Sequence, residues 1–105
     1  MAQWDVYPNP APRSRDVMPY LVVVQSDLLD ILPTRMVAPL SRSAVPDSAL
    51  PRRLAPRFEI EGEPLTLKAH EAGTVLARSL RKPVASLRSQ SHRIIDALDA
   101  VVSGI

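Results

Sequence analysis

Proline is the residue that most constrains how this chain can fold. Eleven of the 105 residues are proline, and the last of them is Pro83. Proline fixes the backbone φ angle and lacks an amide hydrogen, so it interrupts helices and belongs in turns, at sheet edges or in bulges. The prolines cluster in residues 8–19 and 41–56. We therefore predict loops over both stretches, the first of them an extended arm.

The segments between these loops carry strand patterns. Apolar alternation and β-branched runs, which are typical of strands, occur in residues 4–7, 20–25, 35–40, 57–60, 65–67 and 74–77. Pro39 predicts that its strand lies at an edge or contains a bulge. The stretch from Glu61 to Pro64 predicts the turn of a hairpin.

The C-terminus changes to a helical period. Apolar residues recur at helical spacing in the stripe Ile94, Ile95, Leu98, Val101, Val102 and Ile105. We predict a helix over about residues 87–103, with Ser86 or Ser89 as its N-cap and Gly104 as its stop. Several short strands followed by one helix predict a mainly β fold, either a small twisted sheet or a partly open barrel.

Length and composition limit the class of protein. A chain of 105 residues predicts a single domain. The absence of cysteine excludes disulfides and thiolate metal sites and fits a reducing compartment. The first sixteen residues lack an apolar run of signal-peptide length, and the run from Tyr20 to Val24 is too short to span a bilayer. We therefore expect a cytoplasmic protein without membrane contact.

Catalytic and cofactor motifs are absent from the sequence. The three glycines are too dispersed for a phosphate-binding loop, and His70 and His92 lack a metal-ligand pattern. His70 and Glu71 are adjacent, which fits a surface pair better than an acid–base pair. We therefore expect no cofactor and no metal, and a function that depends on binding a partner.

One basic segment stands out. Residues 78–93 contain five basic residues and no acidic one: Arg78, Arg81, Lys82, Arg88 and Arg93. This segment is either a docking patch for an acidic peptide or phosphate backbone, or a solvated face. Asp96 and Asp99 lie near the helix C-terminus, where the helix dipole disfavours acids. We expect Asp96 to pair with Arg93 or His92, one turn earlier.

Two motifs resemble the CcdB family of toxin–antitoxin toxins. Residues 21–30 read Leu-Val-Val-Val-Gln-Ser-Asp-Leu-Leu-Asp, and residues 35–40 read Arg-Met-Val-Ala-Pro-Leu. The opening residues 4–7 and the terminal Gly104-Ile105 resemble the first and last elements of the family. The resemblance implies an SH3-like small β-barrel, CcdB/MazF-like, with one C-terminal helix, which forms a homodimer. It also implies a toxin that binds the DNA gyrase A subunit and traps the cleavage complex. A CcdA-like antitoxin with a flexible tail would neutralise this toxin, and the complex would contact operator DNA through the antitoxin.

The resemblance also implies positions for these contacts. The gyrase-binding residues would be Leu28, Leu29, Asp99, Ser103, Gly104 and Ile105. Asp99 stands where the family has Asn, and Ser103 stands where the family has the Trp that wedges into gyrase. The resemblance therefore implies weak gyrase poisoning or none, with the fold and antitoxin binding unchanged. The basic residues Arg78, Arg81, Lys82 and Arg88 are the expected antitoxin contacts.

Two alternatives remain open. A MazF/Kid-like endoribonuclease would need a basic residue and a proton acceptor over a groove, for which Arg35 and Asp27 are the candidates. A non-toxic relative would keep only the dimer and antitoxin contacts. The terminal Gly-Ile favours the gyrase toxin over the ribonuclease, whereas Ser103 favours the non-toxic relative.

Overall fold

A computed structural model of the protein describes residues 2–42, 51 and 53–104. These residues form one mainly β structure with a single α-helix. The strands are β1 (Asp5–Pro8), β2 (Tyr20–Val23), β3 (Thr34–Ser41), β4 (Arg57–Ile60), β5 (Glu63–Leu67), β6 (Gly73–Leu76) and β7 (Ala85–Ser86), and the helix is α1 (Ser91–Ser103). Short 3-10 turns cover Asp27–Leu29, Ala69–Glu71, Ala77–Ser79 and Arg88–Gln90. Within these ranges, no helix has both the length and the apolar character that crossing a membrane requires.

Every strand pairs antiparallel with its neighbours in one sheet of order β4-β5-β3-β2-β1-β7, and β6 also pairs with β3. The long strand β3 is the centre of this sheet, because it pairs with β2 along one side and with β6 and β5 in turn along the other. The sheet almost closes into a barrel, and the predicted fold class is confirmed.

Pro39 is tolerated in this central strand because of where β3 changes partners. β6 pairs with residues 34–37 of β3, and β5 pairs with Leu40 and Ser41. Pro39 lies between the two partners, so neither β5 nor β6 pairs with it, and it faces Leu21 of β2 on the other side. Of the two predicted alternatives, the edge position is wrong, because β3 lies inside the sheet. A break in the ladder at Pro39 serves the same purpose, since it leaves no amide donor missing from a pair.

The hairpin between β4 and β5 is confirmed. Its turn is Glu61-Gly62, and both residues have positive φ angles, 51° and 82°. Two consecutive left-handed residues make a type I′ turn, whose twist matches the right-handed twist of the strands. Glu63 and Pro64, which the sequence placed in the turn, already belong to β5.

The N-terminal strand begins one residue later than predicted because Trp4 leaves the extended region. Its φ angle is 76°. The Trp4 amide donates to the Val23 carbonyl at 2.7 Å, and its own carbonyl accepts from Leu87 at 2.9 Å. These bonds and the burial of the indole offset a left-handed conformation that costs roughly 1–2 kcal/mol.

The core lies on both faces of the sheet. Successive strand residues point to opposite faces, so Val6 and Val22 pack under α1 while Tyr7 and Leu21 pack on the other side. The larger cluster contains Trp4, Val6, Val22, Leu40, Phe58, Ile60, Leu65, Leu67, Leu87, Ile94 and Ala97. The smaller cluster contains Tyr7, Leu21, Val23, Val37 and Leu80. Burial raises the pKa of the Tyr7 phenol, so it stays neutral.

The helix is shorter than predicted, and only part of the predicted apolar stripe, Ile94 and Leu98, packs against the core. It begins at Ser91 because residues 88–90 form a 3-10 turn, and neither predicted serine caps it, since its N-cap is Gln90 without a side-chain bond. Gly104 ends the helix as predicted, in the left-handed conformation, with its amide donating to the Ala100 carbonyl. The buried residues are Ile94, Ala97 and Ala100, whereas Ile95, Val101 and Val102 of the predicted stripe are exposed.

Candidate functional site

A short 3-10 turn presents the first predicted pair of contact residues. Leu28 is 91% exposed and Leu29 is 47% exposed. The Ser26 hydroxyl caps the turn by accepting from the Leu28 backbone amide at 3.2 Å. The Asp27 carboxylate accepts from the Gln3 backbone amide at 2.8 Å. The turn is therefore fixed to the barrel while its leucines face solvent.

Two further apolar residues of this loop are exposed, and the sequence analysis did not single them out. Ile31 is 91% exposed and Leu32 is 44% exposed. The sequence could have indicated this exposed surface. Residues 28–32 contain four aliphatic residues, and no strand or helix pattern would bury all four. Met36 and Leu76, on the paired strands β3 and β6, are also exposed. Exposed apolar residues grouped in this way mark interaction surfaces.

The end of α1 carries the second group of predicted contact residues. Asp99, Ser103 and Gly104 are exposed. The Ser103 hydroxyl donates to the Asp99 carbonyl at 2.6 Å, which keeps this side chain against its own helix. Ile105 lies outside the described residues. No hydrogen bond or ion pair between described residues joins this helix end to the turn at 27–29.

The two residues considered for ribonuclease chemistry are occupied by structural bonds. Arg35 is only 7% exposed, and its guanidinium donates to the carbonyls of Leu32 at 2.6 Å, Thr34 at 2.9 Å and Asp30 at 3.2 Å. It also lies 3.6 Å from the Asp30 carboxylate. Asp27 holds the Gln3 amide. Arg35 therefore supports the loop that displays the leucines, and it is not presented to a substrate.

The basic segment divides into three parts. Arg78 and Arg81 line a groove of about 320 Å³ whose full lining is Pro8, Asn9, Pro10, Arg15, Arg78, Ser79 and Arg81. Lys82 and Arg88 are exposed but do not line this groove. Arg93 is structural, because it donates to the Arg57 carbonyl at 2.7 Å and stacks 4.3 Å from the centre of the Phe58 ring. The sequence did not connect Arg15, in the proline-rich arm, with this segment.

Asp96 pairs with a residue that local spacing could not identify. Its carboxylate accepts from Arg53 Nε at 2.9 Å, and the expected pairing with Arg93 or His92 is wrong. A similar long-range pair joins Arg42 and Glu63 at 2.5 Å. The hydrogen bond from Arg42 lowers the pKa of the Glu63 carboxyl. Both ion pairs join residues far apart in the sequence at the protein surface.

Metal ligands are not grouped in the part of the chain that the structure describes. No cluster of three or more His, Cys, Asp or Glu residues there could hold an ion. His70 lies 3.7 Å from the Glu71 carboxylate, and both side chains are largely exposed, as expected for a surface pair.

Comparison with known proteins gives one result that covers nearly the whole chain. A sequence model of a protein family, described as CcdB protein, matches residues 3–104. The matched range includes the turn at 27–29, the groove and the end of α1 up to Gly104. No curated protein matches the chain.

Proposed function

The chain belongs to the CcdB protein family, and from this membership we propose that it is the toxin of a type II toxin–antitoxin system that binds the DNA gyrase A subunit and traps the cleavage complex. The observation that carries the proposal is the match over residues 3–104, which spans the folded sheet and the helix. A cognate CcdA-like antitoxin neutralises the toxin in the cytoplasm, and operator DNA is contacted through that complex.

The exposed leucines support a role in binding. Leu28 is almost fully exposed on a turn that Ser26 and Asp27 hold in place. A side chain presented on a fixed backbone loses little conformational entropy when a partner covers it. Leu28, Leu29 and the exposed end of α1, with Asp99, Ser103, Gly104 and Ile105, are the proposed gyrase contacts.

We place the protein among inhibitors of gyrase and not among enzymes. The ribonuclease alternative needs Arg35 and Asp27 free over a groove, and each is held by backbone groups. Arg35 is also buried, so its guanidinium is not presented to a substrate. The structure therefore favours inhibition by binding over RNA cleavage.

Ser103 favours a second candidate function. The family resemblance implies an indole at this position, and a serine hydroxyl provides neither its area nor its aromatic face. Under this reading the protein keeps the homodimer and the antitoxin contacts but does not poison gyrase.

The test compares wild type with two variants on the gyrase of the same host. Wild type is expected to inhibit supercoiling and to trap cleaved DNA only weakly, because it lacks the aromatic anchor at Ser103. Leu28→Ser is expected to weaken this effect by a further factor of about ten or more, because burying a leucine contributes roughly 1.5–3 kcal/mol. Val17→Ser is the matched control, since Val17 is also exposed but lies in the arm. Absence of trapping at saturating protein, with antitoxin binding retained, would reject the gyrase proposal in favour of the second candidate.

A further inference from the structure

We propose that Gln25 is a positioning residue, whose side chain holds the loop of residues 27–33 in the shape that presents Leu28 and Leu29. We call residues 27–33 the leucine loop. The use of this loop on gyrase rests on the proposed function. The hold itself does not, because it follows from the hydrogen bonds that Gln25 makes within the chain.

The leucine loop has no support from the core. Each residue from 27 to 33 is exposed, and the 3-10 turn buries none of its residues. A loop without buried apolar side chains is not held by packing, so its shape depends on hydrogen bonds. The Leu29 amide donates to the Ser26 carbonyl at 3.0 Å, and the Asp30 amide donates to the Asp27 carbonyl at 3.1 Å. These two bonds form the turn but do not tie it to β3.

Gln25 stands at a bulge, at the point where the chain leaves β2. The last regular pair of β2 and β3 joins Val23 to Val37. The amides of Val24 and Gln25 then both donate to the Met36 carbonyl, at 3.0 Å and 3.3 Å. Two residues thus oppose one residue of β3, which is the pattern of a β-bulge. Bulges redirect side chains, and here the Gln25 side chain extends across the base of the leucine loop.

The side-chain amide of Gln25 joins the leucine loop to β3. Its Oε1 accepts from the Met36 amide at 2.9 Å. Its Nε2 donates to the Thr34 carbonyl at 3.0 Å and to the Leu29 carbonyl at 3.3 Å. Exchanging the oxygen and the nitrogen would set an oxygen against two carbonyls, so these partners fix the orientation of the amide. No other side chain of this length offers both a pair of donors and an acceptor.

These bonds also show that Gln25 is not itself a contact residue. A glutamine side chain has two N–H donors, and Gln25 uses both of them inside the chain. It therefore acts through the two leucines, whose exposed side chains are left for a partner. Arg35 supports the rest of the loop by donating to the Asp30 and Leu32 carbonyls.

A loop that is held in advance binds its partner more tightly. A partner that covers Leu28 would otherwise have to order the loop backbone, and this loss of conformational entropy would subtract from the free energy of binding. Removing the Gln25 bonds should therefore weaken binding without changing any contacting side chain. It should also let the amides of the leucine loop exchange faster with solvent.

The test compares Gln25→Met, Gln25→Glu and Gln90→Glu in the full chain. Methionine has a similar length and makes none of the three side-chain bonds, whereas glutamate keeps the acceptor for the Met36 amide and loses both donors to the loop. Gln90 is a half-buried glutamine outside the loop, and its Oε1 accepts from Arg93 at 2.7 Å. Glutamate keeps that bond, so Gln90→Glu controls for the added charge.

Hydrogen exchange measured by NMR examines the loop without a partner. Both Gln25 variants are expected to speed exchange of the Leu29, Asp30 and Leu32 amides by about tenfold, because the lost bonds lower the free energy of opening the loop. Amides paired between β2 and β3, and all amides of the Gln90→Glu variant, should change by less than about twofold. Equal acceleration in the loop and in these strands would indicate general destabilisation and would overturn the proposal.

Binding to the immobilised A subunit of the host gyrase measures the positioning role. Gln25→Met is expected to weaken binding by about tenfold in an otherwise wild-type chain, and by less than about threefold when Leu28→Ser is also present. Losses of equal size in the two backgrounds would show that Gln25 does not act through the leucines. Wild-type binding by Gln25→Glu would limit Gln25 to its bond with the Met36 amide and would also overturn the proposal.

The positioning role and the proposed function fail separately. If wild type does not bind the A subunit, the proposed function fails, and exchange of the loop amides alone decides whether Gln25 holds the loop. If wild type binds, and neither Gln25 variant changes binding or exchange, the positioning role alone fails.

Discussion

At the scale of single residues, Ser103 has the largest proposed consequence for activity. It is exposed at the last position of α1, and its hydroxyl donates to the carbonyl one turn earlier. Replacing it with tryptophan removes only that bond, and its exposure leaves space for a larger side chain.

We expect Ser103→Trp to strengthen gyrase poisoning. An aromatic interface anchor contributes roughly 2–4 kcal/mol, which corresponds to a gain on the order of 30- to 1,000-fold in binding. The measurement is trapping of the cleavage complex by wild type and variant on the cognate gyrase. Potent trapping by wild type with no gain in the variant would show that the anchor lies elsewhere.

Arg35 is expected to be essential for stability. Its guanidinium donates to three backbone carbonyls at the base of the exposed loop. Arg35→Leu removes the donor to the Leu32 and Asp30 carbonyls, whereas the Thr34 carbonyl keeps its bond from Gln25. We expect a loss of about 2–4 kcal/mol in the free energy of unfolding, measured by urea denaturation. Arg81→Leu is the control, because that exposed side chain has no partner among the described residues and should change stability by less than about 0.5 kcal/mol.

At the scale of elements, the β4–β5 turn depends on backbone conformation alone. Gly62 has a φ of 82°, and a Cβ added there meets no atom within 4 Å. Gly73 is equally unobstructed but does not have a positive φ. The two glycines therefore separate the cost of a left-handed backbone from the cost of steric overlap.

We expect Gly62→Ala to destabilise the protein by roughly 1–2 kcal/mol, since alanine is strained in the left-handed region. Gly73→Ala is expected to be neutral or slightly stabilising, because it restricts the unfolded chain without strain in the native state. Denaturant titration of both variants measures the difference. Similar destabilisation by the two substitutions would contradict a conformational origin.

At the scale of the whole molecule, the exposed apolar residues favour association. Leu28, Ile31 and Val102 are each at least 87% exposed, and six further large apolar side chains in the loop, on the strands and on α1 are 40% exposed or more. Soluble monomers rarely leave such residues grouped and uncovered.

We expect a homodimer in solution. Light scattering during size-exclusion chromatography should give about twice the chain mass of 11.5 kDa at micromolar concentration. A mass equal to that of one chain across this range would contradict the homodimer.

The sequence by itself determined the elements whose causes are local. Apolar residues recur every two residues in strands and every 3.6 residues in a helix. These periods, like the Glu61-Gly62 turn and the helix stop at Gly104, depend on residues only a few positions apart. They predicted the hairpin, the C-terminal helix and the mainly β fold class, and the motifs in residues 21–40 identified the family. The same motifs pointed to Leu28 and Leu29, and the structure shows that both are exposed.

Tertiary structure decided what depends on residues distant in the chain. The closing of the sheet brings Arg15 to Arg78 and Arg81, and it brings Arg53 to Asp96. The packing of α1 buries Ala97 and Ala100 and leaves the larger Val101 and Val102 exposed. No local period carries this information, since a pairing between residues tens of positions apart exists only after the chain between them has folded.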